Sequence, residues 1–145
     1  MNVPQSSSHR QATADLLRKS SHPLLALVVD DDPGMADYLA DTLDDLGYQV
    51  ITASNVGEAV AAAQQHENLT VAFVDLGLPD RSGLELLAEL HKLQQHLPIV
   101  LATGYAAMAR RDAIDENNHM TVMAKPFDIK AITKALSHFG LRAEL

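Results

Sequence analysis

The sequence predicts an α/β protein built on a doubly wound, five-stranded parallel sheet with five helices, and three observations predict it. Five short apolar runs have strand length, and the first, Leu24 to Val29, is continuous rather than alternating, as expected of a strand covered on both faces. Between them lie segments of helical spacing, several opened by Asp, Asn or Ser and closed by Gly or Asn. Four of the runs end in polar, chemistry-bearing residues, Asp30-Asp31, Asp75, Thr103 and Lys125, and the carboxyl ends of parallel strands are where open α/β sheets hold their ligands.

Taken in order, residues 1–22 are rich in Ser, Gln and His and read as a flexible leader or linker, with a short helix around Ala12 to Lys19 as the one structured option. The predicted domain covers residues 23–140, followed by a tail of residues 141–145. Its first strand runs from Leu24 to Val29 and stops at Asp30-Asp31-Asp32-Pro33. Asp32 caps a helix with Pro33 at its first position; Met35, Leu39, Leu43 and Leu46 form the buried stripe, and Gly47 is the stop. The second strand is Tyr48 to Thr52. Asn55 with Glu58 three residues on opens the next helix, through about Gln65, with Ala59, Val60 and Ala63 inward.

Val71 to Asp75 is the third strand. Ser82 with Glu85 repeats the cap signal, and Leu86, Leu87, Leu90 and Leu93 are the expected inner face of the third helix. Pro98 introduces the fourth strand, Ile99 to Ala102, which ends at Thr103-Gly104. Tyr105 to Glu116 predicts a weaker helix, and Met120 to Ala124 a short fifth strand closed by Lys125-Pro126. Asp128 caps a last helix with Ile129, Ile132, Leu136 and Phe139 on one face, ended by Gly140. A chain of this order, strand and helix in alternation, requires right-handed crossovers.

At 145 residues the chain fits a single domain with a real core. It has no cysteine, which removes disulfide and thiol chemistry and fits a cytoplasmic setting. A formal net charge of -8 argues against direct binding to nucleic acid or to anionic membrane, since both reward clustered Lys and Arg. No apolar run approaches the roughly 20 residues that span a bilayer.

The chemistry follows from what the strand ends bring together. Three carboxylates, Asp30, Asp31 and Asp75, repel one another unless a cation sits among them, and a hard divalent ion such as Mg²⁺ suits an all-oxygen set. Asp75 beside such an ion is a nucleophile suited to phosphoryl transfer, with Lys125 and the Thr103 hydroxyl available to phosphoryl oxygens.

These residues resemble the receiver domains of two-component response regulators, including single-domain chemotaxis regulators and the receivers of hybrid sensor kinases. The resemblance is carried by Val28-Val29-Asp30-Asp31-Asp32-Pro33, by Asp75 with Leu78-Pro79 and Ser82-Gly83, by Thr103-Gly104, and by Lys125-Pro126-Phe127; it runs from about Leu24 to Phe139. It implies a flavodoxin-like strand order 2-1-3-4-5. It also implies that Asp75 receives a phosphoryl group from a phosphohistidine of a histidine kinase or histidine phosphotransfer protein. Asp31 and Asp75 would ligate Mg²⁺, Asp30 would act through water, and the Gly77 carbonyl would complete the protein ligands. Thr103 and Lys125 would contact the phosphoryl group, and the Lys125-Pro126 bond would be cis.

The resemblance further implies a switch region of Thr103, Tyr105 and the fifth strand, where Val122 stands in place of the family's frequent aromatic residue. Gly77 and Tyr105 occupy positions that tune phosphoryl lifetime, and this pair predicts slow self-dephosphorylation. Arg110, Arg111, Lys130 and Lys134 place positive charge on the last two helices, the family's usual output face. That surface suits a downstream protein target or a reciprocal homodimer. No output domain is expected after Phe139. The reading is of a signalling module rather than a turnover enzyme, either a stand-alone regulator or the receiver of a hybrid kinase.

The enzyme alternative is a phosphatase of the haloacid dehalogenase type with Asp30 as nucleophile. Asp30-Asp31-Asp32 fits its Asp-x-Asp motif literally, but the usual Thr after it is missing and Asp75 is left without a role. Plainer readings also exist: the Asp triplet as a helix cap with solvated neighbours, Thr103 as a cap, and Asp37, Asp41 and Asp44 as a solvated helix face, whose place near the site also allows kinase docking. The seven His show no ligand spacing, and His91 and His96 are expected on a wet surface.

Overall fold

The computed structural model describes residues 23–104 and 119–143. The predicted leader, the helix over Tyr105 to Glu116, and with it Arg110 and Arg111, lie outside the described residues. The described elements are β1 (Leu25–Val29), α1 (Pro33–Asp45), β2 (Gln49–Ala53), α2 (Val56–Gln65), β3 (Val71–Asp75), α3 (Gly83–Leu93), β4 (Ile99–Thr103), β5 (Met120–Ala124) and α4 (Ile129–His138). All strand pairs are parallel, and the sheet order is β2-β1-β3-β4-β5. Four helices are therefore described beside the five strands.

The continuous apolar runs have the cause their pattern predicts. Successive strand residues point to opposite faces, so each run feeds two cores. Ala26, Val28, Phe73, Val100 and Met123 pack with Leu39 and Leu43 of α1 and Ile132 and Leu136 of α4. Leu27, Val29, Val74, Ile99 and Leu101 pack on the other side with Val56 and Ala59 of α2 and Leu86 and Leu90 of α3. Phe73, Leu27, Leu39, Leu86, Leu101 and Ile132 are all essentially inaccessible to solvent.

Helix starts follow their caps. Asp32 accepts the Gly34 and Met35 amides, Asn55 accepts the Glu58 amide, Ser82 accepts the Leu84 amide and Asp128 accepts the Ala131 amide. Helix α1 ends in a turn that also sets where β2 begins. Gly47, at φ 99°, lets the Gly47 amide reach the Asp44 carbonyl and the Tyr48 amide reach the Leu43 carbonyl. Tyr48 thus belongs to the turn, and β2 starts at Gln49 rather than at Tyr48. The buried Tyr48 hydroxyl donates to the Arg142 carbonyl at 2.7 Å, and Leu141 and Ala143 pack against the α1–α4 core.

Two expected core positions are exposed. Leu93, the last residue of α3, is 42 % accessible, because the chain turns at Gln94 and brings Leu97 into the α2–α3 core instead. Ile129 is 50 % accessible: it is the first residue of α4, and the buried positions of that helix begin only at Ile132. His96 is exposed, whereas His91 is half-buried with its Nε2 shielded from solvent. Among the described residues, no helix is long and apolar enough to cross a membrane.

Candidate functional site: an acidic cluster at the carboxyl edge of the sheet

The sheet order alone explains why residues far apart in sequence meet. Central β3 has β1 and β4 as neighbours, so the residues that follow β1 and end β3 lie side by side. Asp30, Asp31 and Asp75 each offer a carboxylate oxygen, and these oxygens lie within 4.8 Å of one another. Asp30 is buried, Asp75 half-buried and Asp31 exposed, so the cluster opens from the sheet towards solvent.

Each acid is held by the backbone around it. The Asp30 amide continues the sheet ladder to the Ala53 carbonyl, and Asp30 Oδ1 accepts the Asp32 amide at 2.9 Å. Asp75 Oδ1 accepts the Gly77 amide at 3.1 Å, which brings the Gly77 backbone against the carboxylate. Lys125 arrives from the end of β5, its amide bonded to the Thr103 carbonyl at 2.7 Å. Its Nζ lies 3.1 Å from Asp30 Oδ2 and 3.4 Å from Asp75 Oδ2, and the Lys125-Pro126 peptide is cis. Thr103 is buried at the end of β4. Val122 is half-buried and faces the α2–α3 core, and Tyr105 lies outside the described residues.

The electrostatics of this group are unbalanced. Burial pushes the Asp30 carboxyl above its ordinary range, outweighing the Asp32 amide and the Lys125 ammonium, which both draw it down. Burial also pulls the Lys125 ammonium down, but its contacts with Asp30 and Asp75 together outweigh that, and the net shift is upward. Among the described residues, Asp30 and Asp75 thus share the Lys125 ammonium, and Asp31 adds a third carboxylate beside them. An all-oxygen, net-negative donor set of this kind fits a hard divalent cation better than a transition metal.

A stability consequence follows for the metal-free protein. A carboxyl whose folded pKa lies above its unfolded value loses the folded state stability as pH rises from the unfolded value through the folded one. In chelator, Asp30→Asn is therefore expected to raise the urea midpoint at neutral pH. The gain should vanish at pH values below the unfolded carboxylate range, where Asp30 is protonated in both states. Equal midpoints at neutral pH would show that the Lys125 contact fully offsets the burial of Asp30.

The loop from Asp75 to α3 is anchored at several points. Gly83 packs so closely that a Cβ there would lie 2.7 Å from Leu76 Cα and 2.8 Å from the Asp75 carbonyl oxygen. Asp80 reaches across to α2, its Oδ1 accepting the Val56 amide at 2.9 Å and its Oδ2 the Gly57 amide at 3.0 Å. Arg81 pairs with Glu89 at 2.9 Å. Beside the acids, a cleft of about 260 Å³ is lined by Asp31, Asp37, Thr52, Ser54 and Glu58. Sequence reasoning singled out Asp30, Asp31, Asp75, Thr103 and Lys125 but missed Asp80. An acid in a loop that faces a helix start is a signal only once the sheet order makes α2 its neighbour.

Comparison with known proteins agrees with this arrangement. A family model described as the response regulator receiver domain matches residues 26–137. The transcriptional regulatory protein GlrR of Escherichia coli is 29 % identical over 117 residues, which cover 81 % of this chain and 26 % of that protein. The chain therefore spans about a quarter of that relative. The response regulator receiver protein CpdR of Brucella abortus is 27 % identical over 81 % of this chain and 97 % of its own length. A crystal structure of a response regulator protein from Burkholderia pseudomallei superposes with TM-score 0.64 at 36 % identity, covering 78 % of this chain and 66 % of that one. The chain belongs to the response regulator receiver domain family, whose members are phosphorylation-based signalling modules.

Proposed function

We propose that this chain receives a phosphoryl group on Asp75 from a phosphohistidine of a histidine kinase or histidine phosphotransfer protein. The observation that carries the reading is the meeting of Asp30, Asp31, Asp75 and Lys125 at one sheet edge. The Burkholderia pseudomallei relative was crystallised with a phosphorylated aspartic acid and a calcium ion, which supports an aspartate acceptor and a divalent cation. Asp30, Asp31, Asp75 and the Gly77 backbone would hold Mg²⁺. Bound there, Mg²⁺ supplies charge neutralisation for the incoming phosphoryl oxygens.

The chain's own groups supply the rest. Asp75 is the nucleophile, held at the end of a strand paired on both sides. The Lys125 ammonium, already within reach of Asp75, transfers its attention to a phosphoryl oxygen once that carboxylate is esterified. The Thr103 hydroxyl donates to another, with Tyr105 and Val122 as the remainder of the switch region. The domain is assigned to residues 23–140, in the cytoplasm, with a downstream protein as target through the last two helices or a second copy as dimer partner. Exposed Lys130 and Lys134 contribute positive charge to that face. Gly77, without a side chain to position a water, favours slow self-dephosphorylation.

The test is to locate the modified residue. Full-length protein incubated with acetyl phosphate and Mg²⁺, then reduced with borohydride, should carry the resulting homoserine at position 75 in a peptide digest. Modification at Asp30 would instead favour the phosphatase reading, and no modification in the presence of Mg²⁺ would remove the receiver reading.

A further inference from the structure

Helix α2 begins with three amides that its own residues satisfy only in part. Asn55 takes the Glu58 amide, and Glu58 turns back to take the Ser54 amide and hydroxyl. The first two helical amides, Val56 and Gly57, are taken by Asp80, from a loop more than twenty residues away. A carboxylate at a helix N-terminus is favoured by the helix dipole as well as by the two bonds. The Asp80 carboxyl is accordingly held below its ordinary range, chiefly by the Val56 amide.

The same loop carries Gly77, whose amide donates to Asp75 Oδ1. Its far end is fixed where the Gly83 amide meets the Leu76 carbonyl at 3.2 Å. Between those points Gly77, Pro79, Asp80, Arg81 and Ser82 are exposed. Among the described residues, Asp80 supplies the bonds that tie this exposed stretch to α2; the Arg81–Glu89 ion pair ties it instead to α3.

We propose that Asp80 is a positioning residue for the phosphoryl-accepting edge: by clamping the loop to the start of α2, it keeps the Gly77 backbone against Asp75. The role rests on the functional reading only in that Gly77 is taken as a metal-side group. The clamp itself is independent of it. In the family reaction, a loosened loop leaves Asp75 in place on its strand but lets the Gly77 backbone drift.

The experiment uses the full-length chain and compares Asp80→Ala with Asn55→Ala, which removes a different bond from the same helix start. Without metal or phosphoryl donor, the Gly77 amide resonance should shift in Asp80→Ala towards that of an unbonded glycine. Its exchange protection should fall by up to about tenfold, the scale of one lost hydrogen bond. In Asn55→Ala it should stay where it is in the wild type. With acetyl phosphate, the Mg²⁺ midpoint of labelling should rise about tenfold in Asp80→Ala, as for loss of an outer-shell partner, at a nearly unchanged plateau rate.

Asp80→Asn keeps the shape and one accepting oxygen, so it should show the same shifts at smaller size and serves if the alanine variant does not fold. An unmoved Gly77 resonance in both Asp80 variants overturns the proposal, as does an equal response to Asn55→Ala, which would reduce Asp80 to an ordinary helix cap. If wild type takes no phosphoryl group on Asp75 while the Gly77 resonance responds only to Asp80, the functional reading fails and the clamp stands.

Discussion

Lys125→Met is expected to slow phosphorylation of Asp75 by about 10²- to 10³-fold at saturating Mg²⁺, the usual effect of removing one aimed donor from developing charge. Methionine keeps the unbranched apolar stem, one atom shorter, and removes the charge. The reason for so large an effect is placement: Nζ already lies 3.4 Å from Asp75 Oδ2 and 3.1 Å from Asp30 Oδ2, so no reorganisation is needed to meet a phosphoryl oxygen. The same substitution is expected to tighten Mg²⁺ binding several-fold. The ammonium and the cation compete for the same carboxylates, and one like charge at close range costs about 1 kcal/mol even in bulk water. The two effects have opposite signs, which separates them from general damage. Initial labelling rates across an Mg²⁺ titration check both, and an unchanged plateau rate or a weaker Mg²⁺ midpoint would refute the role given to Lys125.

Gly83→Ala is expected to cost about 3 kcal/mol, the upper end for overpacking at a well-packed position. The added methyl would meet the Asp75 carbonyl oxygen and the Leu76 Cα, both backbone, and only its third neighbour, Leu76 Cδ2 at 3.0 Å, belongs to a side chain that rotates away. The backbone that must yield is the one that carries the proposed phosphoryl acceptor, so labelling should fall along with the urea midpoint. Gly34→Ala is the control. Its new methyl would lie 3.4 Å from an Asp32 side-chain oxygen in the exposed first turn of α1, and a small change in midpoint is expected there. A Gly83→Ala midpoint equal to wild type would show that Asp75 and Leu76 shift without cost.

The inner strands and their ends were legible in the sequence because a strand covered on both faces leaves no room for polar residues until it stops, whereas edge β2 admits Gln49 and Thr52. Leu27, Val28, Val74 and Leu101 are buried for that reason, and Asp30, Asp75 and Lys125 stand out against them. Caps were legible where acceptor and amide lie within one turn, as for Asn55 and Glu58. What was not legible depends on a neighbour chosen by the fold. Asp80 reads as a loop acid until α2 is beside it, and Gln94 reads as a polar helix end. In the structure Gln94 takes the Leu69 amide and donates to the Ala63 and His66 carbonyls, tying three segments together. Periodicity likewise extends a helix stripe past the point where the core ends, which is how Leu93 and Ile129 were placed inside.

The position of β3 and β5 in the sheet gives the site a mechanical asymmetry. Asp75 ends a strand laddered on both sides, whereas among the described residues Lys125 follows a strand laddered only to β4. Held between two neighbours, the carboxylate behaves as an anvil; the ammonium hangs from the rim, tethered there by Asp30 and Asp75. Under the proposed phosphorylation of Asp75, displacement is therefore expected on the β4–β5 flank, and less at Asp30 and Asp31, which follow a strand paired on both sides.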